Sequence, residues 1–333
     1  MRAWLLAVAV AACGGSSMNP IDAPDTMGSD AAPDASIPPG WTSLIEGHWH
    51  LEPAGMNGDE IYWCTRIPVD HDMWISGFRA LAPAGTHHAI LTIDPTSTKT
   101  GEFGSPDCDS TVGFGPNDRL IFASGLSTND LVFPTGIAVH LTAGQYITLN
   151  LHLLNSGDFA KTDTSGVLVQ TIDQSQVTHE IDATFAGTRS IVLDPGVTPV
   201  GPNRYVVGGC SAPTDWHVFA LWPHMHQFGT HAKLLVNGSE VVLDQPFDFT
   251  AEKTYPMNET VIHQTDTITA RCDYQIPVQT CTYPAGACTY GTCGSDGYCQ
   301  ISYGESANGE MCYIAMYKYP AGDVPAYGCH GAQ

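Results

Sequence analysis

Three histidines, His224, His226 and His231, fall within eight residues of the segment HVFALWPHMHQFGTHAKLLVNG, and His217 stands just upstream. His224 and His226 are two apart. On a strand that spacing puts both imidazoles on one face, where both reach one metal ion. Pro223, lacking an amide hydrogen, marks a strand end or edge there. The plain alternative is a solvated edge strand. A second pair, His87 and His88, opens GTHHAILTI. Neighbours on a regular strand face opposite sides, so both reach one ion only where the strand starts or twists. Gly85 and Thr86 just before them allow that; otherwise one histidine is core and the other exposed. His152 lies in YITLNLHLL, and taken alone it reads as a surface histidine. Met311, in GEMCYIAMYKYP, taken alone is a core methionine. Imidazoles suit zinc, copper, iron or nickel; a thioether beside an HxH pair favours a soft ion, Cu(I) in particular.

The elements that must position these residues read as strands. In residues 146–154, Ile147, Leu149, Leu151 and Leu153 share one face and Thr148, Asn150 and His152 the other. The stretch AKLLVNGSEVVLD predicts a hairpin turning at Asn237-Gly238, the pair favoured in type I′ turns. Gly (34) and Pro (23) punctuate Thr-, Val- and Ile-rich runs, and no amphipathic helix of more than a few turns stands out. The expected class is all-β, with a domain boundary near residues 176–182. A formal charge of −22 argues against nucleic acid and against a basic docking surface for anionic lipid.

The first residues read as a targeting segment. Met1-Arg2 precedes the short apolar run AWLLAVAVAA, which is too short to span a bilayer. It ends in VAAC, and Cys13 followed by Gly14 resembles a bacterial lipobox. That resemblance implies cleavage before Cys13 and lipidation of its thiol, placing the protein in the cell envelope on a lipid anchor, on the outer membrane facing periplasm or exterior. Residues 14–40 are small, Pro- and Asp-rich and without aromatic residues, a tether that forms no core. Of eleven cysteines, ten remain after Cys13, an even number suited to disulfides in an oxidising compartment.

Six segments in order resemble the copper type II, ascorbate-dependent monooxygenases, the family of peptidylglycine α-hydroxylating and dopamine β-monooxygenases. They are IYWC (with Cys64), THHAI, ITLNLHL, HVFALWPHMHQFG, ITARCDY and GEMCYIAMYKYP, spread over roughly residues 45–330. The resemblance implies two tandem β-sandwich, jelly-roll-like domains facing a cleft, at residues 41–178 and 179–333. It implies two copper ions per chain. His87, His88 and His152 match the ligands of an electron-transfer copper; His224, His226 and Met311 match those of a catalytic copper. It implies disulfides Cys64–Cys108, Cys210–Cys329 and Cys272–Cys312. The implied activity is hydroxylation of a substrate C–H bond with O2, with ascorbate as the electron donor and a small molecule as substrate.

The sequence also departs from that family. Where the peptide-processing branch has an arginine two positions before the HxH pair, this chain has Trp222. Where that branch has asparagine and tyrosine after the methionine, this chain has Tyr313 and Ala315. The carboxylate-binding groups are thus missing, and Trp222 with Tyr313 suggests an apolar or aromatic substrate. A second departure is the Gly-rich insert 281–299, holding Cys281, Cys288, Cys293 and Cys299. It has no CxxC pair, so it reads as a loop stapled by two local disulfides rather than a thiolate metal site, and its position beside Met311 suggests that it shapes access. His217 reads as structural, and His48 and His50 as surface residues. A lipid-anchored copper-handling protein without turnover is the alternative function. A zinc hydrolase would leave Met311 without a role.

Overall fold

The computed structural model describes residues 37–95, 99–125, 128–196, 203–284, 286–306 and 308–331. The leader, Cys13 and residues 14–36 of the tether lie outside them. The first half forms β1 (Thr42–Leu51), β2 (Glu60–Pro68), β3 (Met73–Leu81), β4 (Thr86–Asp94), β5 (Gly101–Gly104), β6 (Arg119–Ser124), β7 (Leu131–Val132), β8 (Ile137–Leu141), β9 (Tyr146–Leu154) and β10 (Lys161–Thr171). The second half adds β11 (His179–Glu180), β12 (Asp182–Thr188), β13 (Val192–Leu193), β14 (Asn203–Ser211), β15 (Trp216–His224), β16 (Gly229–Val236), β17 (Glu240–Pro246), β18 (Tyr255–Ile262), β19 (Thr267–Gln275), β20 (Thr292–Cys293), β21 (Cys299–Ser302), β22 (Cys312–Tyr319) and β23 (Cys329–His330). The class is all-β; among the described residues the helical element is a single 3₁₀ turn, Gln174–Gln176.

The strands build a sandwich of three principal sheets. One runs β1-β10-β3-β8-β11, with β7 on β3. A ten-stranded sheet runs β18-β15-β22-β12-β6-β4-β9-β2-β5, with β23 on β12. A third runs β14-β19-β16-β17, and a small one runs β13-β21-β20. One apolar cluster lies between the first sheet and the ten-stranded sheet, and includes Trp49, Phe78, Leu91, Phe122, Leu151 and Tyr317. Another lies between the ten-stranded and four-stranded sheets, and includes Trp216, Leu221, Leu234, Ala270, Ile314 and Met316. Alternation divides β22 between them: Tyr313, Ala315 and Tyr317 face the first, Cys312, Ile314 and Met316 the second.

The halves join edge to edge in the ten-stranded sheet. There β6 and β12 share one residue pair, Leu120–Ala183. Four strand steps separate β4 from β15, a distance of about 19 Å in a flat sheet. Yet His88 on β4 and His224 on β15 have ring centroids 5.2 Å apart. The sheet therefore bends sharply between them, and the bend brings the two histidine sets together.

Local features follow the chemistry read from the sequence. The Asn237-Gly238 hairpin joins β16 to β17 with both residues at positive φ, 52° and 71°, as a type I′ turn requires. Five disulfides form: Cys64–Cys108, Cys210–Cys329, Cys272–Cys312, and within the insert Cys281–Cys293 and Cys288–Cys299. The insert is thus stapled by two local bridges, and its cysteines are not free thiolates.

Candidate metal centre

The adjacent pair His87-His88 is brought to one side by a backbone irregularity. On the β4–β9 ladder Thr86 pairs with Leu153 and His88 with His152, so the register slips at His87. A β-bulge of this kind leaves one residue unpaired and re-aims its side chain. The Nδ1 atoms of His87 and His88 then lie 3.2 Å apart. Gly85 before them takes φ +120° and packs under the Trp49 indole, where a Cβ would sit 2.8 Å from the ring.

His152 is not a surface residue: it is fully buried. The alternation along β9 holds, with the leucines in the core, but its polar face is covered as well. Asn150 donates to the carbonyls of Asp109 and Val112 at 2.8 and 3.0 Å. The covering segment is tied down by Cys64–Cys108. His152 Nε2 is paired with Glu60 at 2.8 Å, and Tyr62 stacks on the ring at 4.7 Å and 6°. One ring nitrogen from each of His87, His88 and His152 lies within 4.8 Å of the others. An ion bonded about 2 Å from each would draw them to about 4 Å or less.

The second set is assembled at the end of β15. That strand stops at His224, and His226 lies just beyond it, so strand alternation alone does not align the two. Gly229 begins the next strand, β16, which places His231 on that strand, paired with Asp244. A carboxylate fixes the intervening turn. Glu310, fully buried, accepts from the backbone N–H groups of Phe228 (2.8 Å), His226 (3.0 Å) and Met311 (3.3 Å). His226 Nδ1 also contacts the Gly309 carbonyl at 3.1 Å. On the β15–β22 ladder His224 pairs with Tyr313. Beyond that last pair, His226 and Met311 are brought together through Glu310, which accepts from both of their backbone N–H groups. His224 Nδ1 faces the buried Glu252 carboxylate at 3.2 and 3.3 Å, and Trp222 stacks on its ring at 5.1 Å and 14°.

The two sets form one buried cluster rather than facing each other across an open cleft. His87 lies 6.4 Å from both His224 and His226 between ring centroids, and Phe249 packs on His87 at 4.4 Å. Burial and mutual proximity push His87, His88 and His226 well below the usual imidazole range, and His224 down to about 3. These four imidazoles are therefore neutral and carry free lone pairs. Nitrogens His87 Nε2, His152 Nδ1, His224 Nε2 and His226 Nε2 are buried without a hydrogen-bond partner. Unpaired buried polar atoms of this kind cost about 1–3 kcal/mol each, a cost that a bound ion removes. Burial raises Glu252 well above the carboxylate range, and raises Glu310 to about 8 against the pull of its three backbone donors.

Beside the cluster lies a cavity lined in part by His88, His224, Met311, Tyr313, Phe185 and Tyr327. Tyr313 lines it; Trp222 is not among its lining residues and is fully buried beneath His224. The cavity volume is about 20 Å³, room for about one water molecule. The remaining histidines stand apart from these contacts. His217 stacks on Tyr319 and pairs with Glu259 at 2.7 Å, while His48 and His50 are exposed. The insert touches the site turn through Tyr290, 5.2 Å from Phe228. Sequence reading missed Glu60, Glu252 and Glu310. Glu310 adjoins Met311 in GEMC, whereas nothing in the spacing of Glu60 or Glu252 connects them to a histidine.

No family model matches the chain, and no curated protein matches it. Among solved structures, dimeric latent PorU from Porphyromonas gingivalis aligns with 78% of this chain at 10% identity and a TM-score of 0.18. The match spans about a quarter of the PorU chain, 24%. The T13 IBDV viral particle aligns with 87% of this chain and 74% of its own, again at 10% identity and a TM-score of 0.18. Likenesses this weak carry no argument about fold or activity.

Proposed function

We propose that the chain is a copper-dependent monooxygenase that hydroxylates a C–H bond of a small organic substrate with O2, taking electrons from ascorbate. It would work in the cell envelope, anchored through lipid on Cys13. The observation that carries this reading is the convergence of five buried imidazoles with four unpartnered nitrogens. His87, His88 and His152 would hold one ion; His224, His226 and Met311 would hold the other. The donor set fits copper: imidazole and thioether suit Cu(I), and a purely structural zinc site would not use a methionine. Copper bound there would supply one-electron redox chemistry and O2 activation.

The chain's own residues orient and enclose. Glu60 and Glu252 each face one ring nitrogen of a histidine and leave the other for metal. Glu310 fixes His226 and Met311 together through their backbones. Burial of the cluster excludes water, which protects reactive chemistry from side reactions. A second reading, a lipid-anchored copper-handling protein without turnover, is favoured by the small cavity, which in this conformation admits no organic substrate.

The test is copper-loaded protein with ascorbate and O2 against a panel of aromatic amines, peptides and lipids. The monooxygenase reading expects a hydroxylated product and substrate-triggered O2 uptake. Two bound coppers with neither would favour the second reading.

A further inference from the structure

Glu252 lies in the segment between β17 and β18, is almost completely buried, and directs both carboxylate oxygens at His224 Nδ1. His224 Nε2 has no partner. Of the two neutral tautomers, the one protonated on Nδ1 gives a Glu252 carboxyl oxygen a donor and leaves the Nε2 lone pair free, and that oxygen accepts whether or not the other one holds a proton. The ring cannot easily turn away from this arrangement, because Trp222 stacks on its face.

The first half of the chain holds Glu252 in place. Gly125, just after β6, packs directly against it; a Cβ there would lie 2.1 Å from Glu252 Oε2. Thr128 Oγ1 donates to the Glu252 carbonyl at 3.1 Å, and Thr254 N–H donates to Asn129 Oδ1 at 3.1 Å. The same segment carries Phe249 against His87 and His226, at 4.4 and 6.2 Å. This segment of the second half therefore touches histidines of both sets and is tied to the first half.

We propose that Glu252 is a positioning residue: it accepts the Nδ1 proton of His224, commits Nε2 to the metal, and owes its own placement to Gly125 and Thr128. The step from lone pair to metal rests on the copper reading above. The placement of the proton does not.

Two measurements separate these layers. In metal-free protein labelled with ¹⁵N-histidine, long-range proton–nitrogen correlation should show His224 as the Nδ1–H tautomer. Glu252→Ala and Gly125→Ala should lose that preference, and Glu252→Gln, which keeps an acceptor oxygen, should retain it. An Nε2–H tautomer in the unaltered protein, or no change in Glu252→Ala, overturns the proposal. Copper(I) competition against a chromophoric chelator is the second measurement. One of two ions should bind about 10- to 100-fold more weakly in Glu252→Ala and Gly125→Ala, with most of the loss recovered in Glu252→Gln. The ion of the three-histidine set should stay bound, which doubles as a check that the variants fold. Wild-type affinity for both ions in both variants would also overturn the proposal. If the unaltered protein shows the expected tautomer but binds no copper, the copper reading fails and Glu252's hold on His224 stands.

Discussion

Acidifying the metal-free protein should destabilise it steeply, with a slope set by the histidine cluster. His87, His88, His224 and His226 are all depressed by burial, His224 to about 3. In the unfolded chain each titrates near pH 6.5. Across the window between those values each imidazole takes up a proton only on unfolding. Stability therefore falls with falling pH by about 1.4 kcal/mol per pH unit for each of them. Glu252 and Glu310 act in the opposite direction. Both are raised, Glu310 to about 8, so above about pH 4.5 the folded state holds protons that the unfolded chain releases. Four protons gained and two released leave a net uptake of two, or about 3 kcal/mol lost per unit between roughly pH 6 and 5. That is a large share of a domain stability on the order of 5–15 kcal/mol. The assay is urea unfolding with a chelator present and disulfides intact, at several pH values from about 7 to about 5. The control is the double variant His87→Gln/His226→Gln, which removes two of the four imidazoles. Its slope should be lower than that of the unaltered protein by about 3 kcal/mol per pH unit in the same window, because two imidazoles leave the count while the other titrating groups are shared. Equal slopes in the two proteins would refute a neutral, buried cluster.

Other expectations follow from particular residues. Gly85→Ala forces a Cβ against Trp49 at positive φ and should cost about 1–3 kcal/mol in chemical unfolding while weakening the three-histidine ion; unchanged stability would contradict the packing. Replacing Cys64 and Cys108 by serine opens a crosslink spanning 44 residues and should cost about 4 kcal/mol, with faster hydrogen exchange at Asn150 and His152. Met311→Ala should abolish turnover while the three-histidine copper stays bound; loss of both ions would contradict separate ligand sets. Deleting residues 281–299 should change the substrate range, and an unchanged range would remove the insert from any role in access.

Much of the fold was legible because strand alternation is a local signal. Residues 146–154 show it, with the leucines on one face and His152 on the other, and the Asn237-Gly238 turn is specified by the two residues that adopt it. What was not legible depends on tertiary contact. The burial of His152 comes with contacts to Glu60, Tyr62, His87 and His88, all distant in the chain, while the segment around Asp109 covers its neighbour Asn150. The bulge at His87 is a property of the β4–β9 register, and Gly85 hints at it without fixing it. The nearness of the two histidine sets arises in the sheet that both halves share, where β6 and β12 meet at Leu120–Ala183, and no motif near a histidine encodes that pairing. Trp222 was read as a candidate for the substrate wall; the structure places it flat beneath His224 and leaves Tyr313 on the cavity.

The central claim is that six residues of one cluster hold two copper ions in two chemically different sites. Copper(I) titration of the purified protein, followed by X-ray absorption at the copper edge on the unaltered protein and on Met311→Ala, tests it directly. The account predicts two ions per chain and a sulfur ligand to one of them, with the sulfur signal absent in Met311→Ala and the nitrogen-only ion retained. A single ion, no ion, or a sulfur signal that survives loss of Met311 would contradict it.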